Sequence, residues 1–399
     1  QDNVIRPVIL WNDGRCAAQC TQIETAVPQS REITGNLVMP GFTAPKLLWL
    51  KNHEPENFAK VAKVLLPKDY LRFRLTGDYA SDMSDSAGTC WLDVAKRDWS
   101  EQMLAATGLT KSHMPKLYEG NEITGFLNGS LADKWGMNPI PVVAGAGDNA
   151  AGAIGLGIVK PGQAMISLGT SGVYFATSDG FHANPESAVH SFCHSLPNSW
   201  HLMSVLLSAA SCLQWYADKV VEKSVADLLA DLNETNIDLS SNCYFLPYLA
   251  GERTPHNNPH AQGIFFGLTA GTTQVQMTHA VLEGVALAFA DAAEALHLCG
   301  IEPNDITMIG GGARSPYWRQ MITDVLNKEI SFRKGGDVGP ALGAARLAQL
   351  AIETDKALLD ICPAPPLEQI HVPNAKNHDV YIERLSKFRN LYQAVKAHF

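Results

Sequence analysis

The segment PVVAGAGDNAAGAIGLG, residues Pro141–Gly157, carries the pattern on which the predicted fold depends. Its first residues, Pro-Val-Val, have the character of a short buried strand, and the two glycines that follow permit a turn that other residues would adopt only with strain. The small residues of Asn149–Leu156 then predict a helix. The carboxylate of Asp148 is therefore expected at the junction between a strand and a helix.

Two interpretations of Asp148 are open from this segment alone. An acid in the first turn of a helix can accept a hydrogen bond from a backbone N–H two or three residues further on, so Asp148 could simply cap the helix. Alternatively, the surrounding glycines and alanines leave room for a substrate to approach the carboxylate. The next segment of the chain bears on this choice.

A tight hairpin is predicted after this helix, in QAMISLGTSGVYFAT, Gln163–Thr177. Two apolar runs rich in β-forming residues flank Gly169, Thr170, Ser171 and Gly172. Such a turn can direct backbone N–H groups and two hydroxyls toward one point, which suits a phosphate group without any basic side chain. An ordinary hairpin turn is the alternative, but an acid and a phosphate-type turn in succession favour phosphoryl transfer.

A dinucleotide-binding site is a competing interpretation of the same glycines. Gly145, Gly147 and Ala150 match the spacing of that fingerprint between a strand and a helix. The fingerprint also needs an acid about 20 residues further on, at the end of the next strand, to hold the ribose hydroxyls. The corresponding region, Met165–Thr170, contains no acid, so an oxidoreductase is disfavoured.

The composition indicates a large protein with more than one core. Its 399 residues are 46% hydrophobic and 18% charged, which predicts two domains rather than one. We expect them to span residues 1–144 and 145–399. The formal net charge of −9 argues against nucleic acid or an anionic membrane as the main partner.

The sequence shows no sign of a membrane-spanning segment, a signal peptide or paired cysteines. No apolar run approaches about 18 residues, and no signal peptide is evident. The eight cysteines lie scattered without a CxxC pair, so we interpret them as free thiols of a cytoplasmic protein.

A cluster of polar side chains near the start of the chain is typical of a site for a polyhydroxylated ligand. A strand predicted over 6–10 leads directly into Trp11, Asn12, Asp13 and Arg15. Sugar hydroxyls need paired donors and acceptors, and sugar C–H faces stack on aromatic rings. The alternative is a solvated turn leading into a helix over 16–27.

The predicted helix Leu65–Gly77 contains two adjacent charged residues that could belong to a site or to an ordinary ion pair. Lys68 and Asp69 could reach a ligand, but a surface ion pair is the expectation for this pattern. The following segment, Ser81–Thr89, is polar and is predicted to form turns.

The second half of the chain alternates between strand and helix patterns, which indicates an α/β layered domain. One strand ends in three glycines, and such a turn lets a flat or phosphorylated ligand lie against the backbone. The predicted elements are a helix Ala217–Asn236, a strand Cys243–Leu249, a helix Thr273–Leu298, a strand Thr307–Gly312, a helix Ser315–Asn327, a glycine-rich turn at 335–340 and a helix Ala341–Ala351.

Metal ligands are present in type but not in a convincing arrangement. His190, Cys193 and His194 lie in a predicted strand, where neighbouring residues point to opposite faces. His256 and His260 stand alone. We therefore assign no metal ligands in this chain.

Two spaced patterns resemble the signatures of the FGGY family of carbohydrate kinases, within the actin/hexokinase/Hsp70-like ATPase superfamily. They are Gly41-x-Thr43-x-x-Lys46-Leu-x-Trp49-Leu-x-Asn52-His53, and Gly263-x-Phe265-x-Gly267-Leu268 followed by Gln276-Met277-x-x-Ala280-Val-Leu-Glu283. Other segments look like the bacterial members that act on D-xylulose: Trp11–Arg15, Leu66–Tyr70, Ser81–Asp85, Gly147–Asn149 and Gly251–Pro255.

The resemblance implies a two-domain α/β fold of the actin/hexokinase-like (ribonuclease H-like) type, with the first domain incomplete. It also implies transfer of a phosphoryl group from ATP, with Mg²⁺ bridging the phosphates, to the terminal hydroxyl of D-xylulose in pentose catabolism. The expected partners are the sugar and ATP, with neither nucleic acid nor membrane, and the chain could form a homodimer.

The resemblance further implies roles for individual residues. Asp148 matches the catalytic base of the family. The substrate side would use Trp11, Asn12, Asp13, Arg15 and Asn149. The nucleotide and its phosphates would contact Gly169, Thr170, Ser171, Gly172, Gly271, Gly311, Gly312 and Ser315.

Two alternatives stay open on sequence grounds. The protein could be a kinase of another pentulose or polyol in the same family. It could also be a catalytically silent ATP- or sugar-binding protein of this fold. An actin-like assembly protein would share the ATPase turns, although Asp148 and the Trp11–Arg15 cluster argue against assembly.

One departure from the family pattern leads to a further expectation. The family has an N-terminal hairpin of the form Asp-x-Gly-Thr-Ser, and its D-xylulose-acting members have a Met-His-Gly segment that contacts the sugar. Neither occurs in this sequence. We therefore expect the natural protein to have further residues before Gln1, and the 399-residue chain alone not to be a competent kinase.

Overall fold

The computed structural model describes residues 3–235, 237, 239, 241–334 and 339–399. The helices are α1 (Ala17–Ala26), α2 (Ser30–Thr34), α3 (Thr43–His53), α4 (Pro55–Phe58), α5 (Pro67–Thr76), α6 (Met83–Ala87), α7 (Glu101–Ala106), α8 (Gly129–Trp135), α9 (Asp148–Gly155), α10 (Ala210–Trp215), α11 (Val225–Glu234), α12 (Gln274–His297), α13 (Pro316–Leu326), α14 (Gly339–Ile352), α15 (Leu358–Ile361) and α16 (Ala375–Val395). The glycine-rich turn predicted at 335–340 lies largely outside the described residues.

The strands form one large sheet and several short pairs. They are β1 (Ala80–Asp82), β2 (Leu92–Asp93), β3 (Asp98–Trp99), β4 (Lys116–Tyr118), β5 (Ile123–Phe126), β6 (Pro141–Val143), β7 (Gln163–Leu168), β8 (Gly172–Ser178), β9 (His190–Cys193), β10 (Trp200–Leu206), β11 (Tyr244–Leu246), β12 (Ile264–Phe266), β13 (Asp305–Ile309), β14 (Ile330–Arg333) and β15 (Leu367–His371).

The large sheet has seven strands in the order β15-β14-β13-β7-β8-β10-β9. Its centre is parallel, because β13 pairs in parallel with both β7 and β14, and its two sides are antiparallel. In the register of β13 and β7, Ile309 lies opposite Ser167. The turns that follow these two strands therefore leave the same edge of the sheet side by side, an arrangement that favours ligand binding there.

Helix α12 forms the largest core together with one face of this sheet. Its residues are apolar or small nearly all round, which is typical of a helix buried on most sides. Thr273 accepts a hydrogen bond from the N–H of Gln276 at 3.3 Å, and the Gln276 side chain accepts one from the N–H of Thr273 at 2.9 Å. This capping box begins the helix where the sequence predicted it.

A second core lies among helices α1, α3, α6 and α7 of the first half. Trp91 and Met103 are buried at its centre. The β9–β10 hairpin of the large sheet contributes Cys193 to this core, and Arg97 of the first half donates a hydrogen bond of 2.7 Å to the carbonyl of Ser199 in that hairpin. The two cores are thus joined through this hairpin.

Several predicted elements are confirmed. The hairpin β7–β8, helix α9, the glycine-ended strand β13 and helices α12, α13 and α14 all occur within a few residues of their expected positions. Gly77 ends α5 in the left-handed conformation, with φ of 88°. All eight cysteines are free thiols, as predicted. Among the described residues, no helix combines the length and apolar character that a membrane span requires.

Two predicted elements are wrong. Residues 6–10 form no strand; Arg6 instead pairs with Glu54 at 2.9 Å, and within the described residues no neighbouring strand pairs with this segment. The single helix predicted over 217–236 is interrupted, because a π-helical stretch ends at Glu222, which adopts a left-handed φ of 52° before α11 begins. A third prediction, turns over 81–89, is wrong in part because Asp82 caps the short helix α6.

Helices α9 and α14 approach each other through glycines. A Cβ at Gly343 would lie 2.5 Å from the carbonyl carbon of Ala151 and closer still to its oxygen. A Cβ at Gly155 would lie 3.0 Å from the carbonyl oxygen of Gly339. Because only a hydrogen fits at Gly343 and the contact at Gly155 is also tight, the packing of α14 fixes the position of α9 and of the acid at its start.

A buried histidine cluster lies on β9 and β10 where the two cores meet. His201 stacks on Phe175 with ring centroids 4.4 Å apart, and His194 contacts it edge-on at 5.6 Å. Burial lowers the pKa of His194 to about 4 and that of His190 to about 3, and it lowers the pKa of His201 well below the ordinary value. All three imidazoles are therefore neutral in the folded protein near pH 7.

This cluster predicts loss of stability in acid. A histidine in the unfolded chain has a pKa near 6.5, so below that pH the unfolded state binds more protons and stability falls as the pH is lowered. For His201→Leu we expect the slope of unfolding free energy against pH, from about pH 6 to about pH 4.5, to decrease by about 1.4 kcal/mol per pH unit. Denaturant titrations at several pH values measure it, and an unchanged slope would show that His201 is not buried in its neutral form.

Candidate active site

Asp148 is the first residue of helix α9, directly after its N-cap, Gly147. Its Oδ1 accepts hydrogen bonds from the backbone N–H of Asn149 at 2.7 Å and from the Asn149 side chain at 3.0 Å. The capping interpretation required an N–H two or three residues further on, and no such bond is formed. The carboxylate is exposed, so a substrate can approach it.

The phosphate-type turn follows β7, and its carbonyl groups are engaged on one side. Gly169 accepts a hydrogen bond from Ala210 N–H at 2.8 Å, and Thr170 accepts one from Ala209 N–H at 2.9 Å. The hydroxyl of Ser211 also donates to the Thr170 carbonyl at 2.7 Å. Because the carbonyls are held in this way, the turn has a fixed shape.

The side chains of this turn are open to a ligand. Thr170 and Ser171 are exposed, and neither hydroxyl has a hydrogen-bond partner in the part of the chain that the structure describes. Gly172 is buried, and a Cβ there would lie 2.8 Å from the ring of Phe289. Two exposed hydroxyls without a protein acceptor among the described residues, in a tight glycine turn, fit phosphate oxygens.

The glycine turn after β13 lies against the end of β7. A Cβ at Gly312 would lie 2.6 Å from Cγ of Leu168, and one at Gly310 would lie 2.7 Å from the Leu168 carbonyl oxygen. Gly311 has open space around its Cβ position. Ser315 caps α13 by accepting from the Trp318 N–H at 3.2 Å, so its hydroxyl already has a structural role.

Two of these features lie at one edge of the sheet. Strands β7 and β13 are parallel, so their following turns are neighbours. Helix α9, which begins with Asp148, leads through a short connection into β7, and its Ala153 shares an apolar cluster with Met165 of that strand.

The Trp11–Arg15 segment is held by other residues. Asp13 accepts from the backbone N–H of Arg15 at 3.0 Å and forms an ion pair with its guanidinium at 2.7 Å; these hydrogen bonds keep the pKa of Asp13 below its ordinary value. The Arg15 guanidinium lies 5.1 Å from the ring centre of Trp49, and Lys46 donates to the Asp13 carbonyl at 3.2 Å. Trp11 is 76% exposed.

The Trp11–Arg15 segment contacts α3 rather than Asp148, so its role in sugar binding stays a prediction. The same holds for the role of Asn149. Gly271 is exposed in the turn before α12, where its N–H donates to Thr269 Oγ1 at 3.3 Å. Its assignment to the nucleotide also stays a prediction.

Lys68 and Asp69 form an ion pair, as predicted, but the pair is largely buried rather than on the surface. Asp69 is only 1% exposed, and its carboxylate contacts Lys68 and Arg72, each at 2.7 Å. Asp85 belongs to the same cluster, and burial raises its pKa to about 6. The surface position was predicted wrongly because residues 80–85 lie over this part of α5, and nothing in the local sequence of α5 indicates this contact.

Glu252 is a further buried acid; it lies in the segment Gly251–Pro255 that carries the resemblance, but no role was predicted for it. It accepts hydrogen bonds from the N–H groups of Leu207, at 2.9 Å, and Arg253, at 2.8 Å. Burial raises its pKa to about 8. Leu207 is followed closely by Ala209 and Ala210, whose N–H groups hold the phosphate-type turn, so Glu252 supports that turn from beneath.

The fold, with two glycine-containing turns side by side at one edge of a central seven-stranded sheet, is that of the actin/hexokinase-like ATPases, a class that includes phosphotransferases. Among solved structures, the crystal structure of a xyloylose kinase from Brucella ovis matches with a TM-score of 0.95 and 48% identity, over 100% of this chain and 82% of that one.

Two curated relatives are similar over nearly the whole chain. The xylulose kinase of Escherichia coli strain K12 is 60% identical over 393 residues, which cover 98% of this chain and 81% of that protein. The xylulose kinase of Klebsiella pneumoniae is 55% identical over the same shares. Family models describe residues 1–155 as the N-terminal domain and residues 164–352 as the C-terminal domain of FGGY carbohydrate kinases. The chain belongs to the FGGY family of carbohydrate kinases.

Proposed function

We propose that this protein transfers the γ-phosphoryl group of ATP to the terminal hydroxyl of D-xylulose, giving D-xylulose 5-phosphate, with Asp148 as general base. The observation that supports the reaction type is the exposed Asp148 carboxylate at the start of α9, in a chain whose turn after β7 exposes two hydroxyls that have no partner among the described residues. The choice of acceptor rests on the relatives, since the xylulose kinases of two bacteria are 60% and 55% identical.

Asp148 acts on the sugar hydroxyl in this proposal. A hydroxyl is a weak nucleophile, and a carboxylate within hydrogen-bond reach orients it and accepts its proton as the bond to phosphorus forms. The loose transition state of phosphoryl transfer means that most of the acceleration comes from positioning and charge neutralisation.

ATP binds, in this proposal, at the turns after β7 and β13. Thr170, Ser171 and the backbone of Gly169 and Gly172 hold the phosphates. Mg²⁺ arrives with ATP and neutralises phosphate charge, as in other phosphotransferases. The open backbone at Gly311 accommodates the adenosine.

A substitution in the turn tests the phosphate assignment. For Thr170→Val we expect ATP affinity in the presence of Mg²⁺ to fall by about 10- to 100-fold, because a hydrogen bond to a charged group contributes about 1.5–3 kcal/mol. The fold should not change, since the exposed hydroxyl has no partner among the described residues. D-xylulose affinity, measured by the same calorimetry, serves as the internal control, and unchanged ATP affinity would place the nucleotide elsewhere.

The reaction itself is tested by a coupled ADP-release assay on the full-length protein. A panel of D-xylulose, D-ribulose, L-ribulose, L-xylulose, xylitol, glycerol and D-gluconate separates the proposed acceptor from other substrates of the family. We expect the highest kcat/KM with D-xylulose. A higher value with another sugar would reassign the substrate, and ATP binding without turnover on any of them would make the protein a silent binding protein.

The location and assembly of the protein are further parts of this proposal. We expect it to act in the cytoplasm, where ATP is available to it. Sedimentation of the full-length protein tests the predicted homodimer.

A further inference from the structure

A buried cluster of charges lies beneath the loop that presents Asp148. The ammonium of Lys68 is 2.7 Å from Asp69 Oδ1 and 3.3 Å from Asp85 Oδ2, and it forms a still closer ion pair with Asp82 Oδ1. Burial acts to lower the pKa of Lys68, but the three carboxylates raise it above the ordinary value. The side chain therefore stays charged and holds all three acids together.

Asp82 uses its other oxygen to organise the start of helix α6. Its Oδ2 accepts hydrogen bonds from the N–H of Ser84 at 2.8 Å, the N–H of Asp85 at 3.1 Å and the hydroxyl of Ser84 at 2.5 Å. Asp82 is 0% exposed, so water does not compete for these bonds. The hydroxyl proton of Ser84 is thus directed toward Asp82.

The same hydroxyl connects this cluster to the strand-to-helix loop. Ser84 Oγ accepts a hydrogen bond from the N–H of Gly147 at 3.0 Å. A hydroxyl has one proton, and that of Ser84 is already donated in the hydrogen bond to Asp82. The Ser84 oxygen lone pair that accepts from Gly147 therefore has a fixed direction. Gly147 is the N-cap of α9 and directly precedes Asp148.

A second anchor holds the start of the loop. Arg72 donates a short hydrogen bond to the carbonyl of Ala144 and another, at 2.6 Å, to the carbonyl of Ala80, while its ion pair with Asp69 measures 2.7 Å. The backbone from Ala144 to Gly147 is therefore tied at both ends to one buried cluster.

We propose that Lys68, Asp82 and Ser84 are positioning residues for the reaction: the chain Lys68–Asp82–Ser84–Gly147 fixes the backbone from which the Asp148 carboxylate projects. This inference rests on the proposed function of Asp148. None of the three residues needs to touch the sugar or ATP. They act because a base displaced by about 1 Å can lose on the order of 10²-fold in rate.

Ser84→Ala in the full-length protein tests the last link, with Ser86→Ala as the matched control. Both serines are buried in α6, but the Ser86 hydroxyl donates to Ser81 at 2.9 Å rather than holding Gly147. We expect Ser84→Ala to lower kcat for D-xylulose by on the order of 10-fold while KM for ATP stays within about twofold. Ser86→Ala should leave both within about twofold, and thermal unfolding checks that each variant is folded.

Hydrogen exchange gives a readout that does not depend on activity. In the unmodified protein, the Gly147 amide should exchange slowly for a loop amide, and in Ser84→Ala it should exchange at least about tenfold faster. Equal effects of the two alanine variants on kcat, or rapid exchange at Gly147 in the unmodified protein, would overturn the inference. The measurement on the unmodified protein can overturn the inference even if Ser84→Ala is too unstable to assay.

Asp148→Asn in the same assay distinguishes failure of the positioning inference from failure of the proposed function. If Asp148→Asn is inactive and Ser84→Ala behaves as Ser86→Ala does, the positioning inference fails and the proposed function stands. If Asp148→Asn keeps full activity, the proposed function fails, whatever the effect of Ser84→Ala.

Discussion

Asp148→Asn should lower kcat for D-xylulose by about 10²–10⁴-fold, because loss of a general base typically has this effect. At about 1.4 kcal/mol per tenfold, the barrier rises by about 3–5 kcal/mol. The asparagine keeps the size of the side chain and can still contact the sugar hydroxyl, so affinities for sugar and ATP should change little. Steady-state kinetics and calorimetry on the full-length protein measure the two effects separately.

Asp227→Asn is a suitable control for this variant. Asp227 is also an exposed acid in the first turn of a helix, α11, and the structure gives it no part in the sheet edge. Its replacement should leave kcat unchanged. Activity of Asp148→Asn within about threefold of the unmodified protein would end the assignment of the base.

Gly343→Ala should destabilise the protein by about 3 kcal/mol or more, because the new Cβ would overlap the backbone of Ala151 in α9. A flexible side chain could move away, but a carbonyl group inside a helix cannot do so without shifting the whole helix. The displaced helix is the one that begins with Asp148, so kcat should fall in parallel. Denaturant unfolding of the variant measures the first effect.

Gly152→Ala is the matched control within α9 itself. No heavy atom lies within 4 Å of its Cβ position, and alanine is favoured over glycine inside a helix by about 0.5–1 kcal/mol. We expect this variant to be as stable as the unmodified protein or slightly more stable. Comparable destabilisation of both variants would contradict the close contact between α9 and α14.

Features encoded within one short segment could be predicted from the sequence. The hairpin around Gly169–Gly172 and the three glycines after β13 depend on local backbone preferences, and both occur where expected. The α/β class followed from the alternation of strand and helix patterns. The acid at the start of α9 was predicted for the same reason, although the sequence could not decide whether it capped the helix.

Features that depend on contacts between distant segments could not be predicted in the same way. Lys68 resembles a surface residue until residues 80–85 fold over it, and Ser84 reaches Gly147 across 63 positions of the chain. The break near Glu222 likewise interrupts a segment whose composition alone favours a continuous helix. In each case tertiary packing outweighed local propensity.

The central claim is that this protein phosphorylates the terminal hydroxyl of D-xylulose with Asp148 as base, and product analysis by NMR tests it most directly. The full-length protein and its Asp148→Asn variant are each incubated with ATP, Mg²⁺ and D-xylulose, and phosphorus–proton couplings locate the transferred phosphate. We predict one sugar phosphate, with phosphorus coupled to the C5 protons, from the unmodified protein and almost none from the variant in the same time. Phosphate on another hydroxyl, no sugar phosphate at all, or equal yields from the two proteins would contradict the claim.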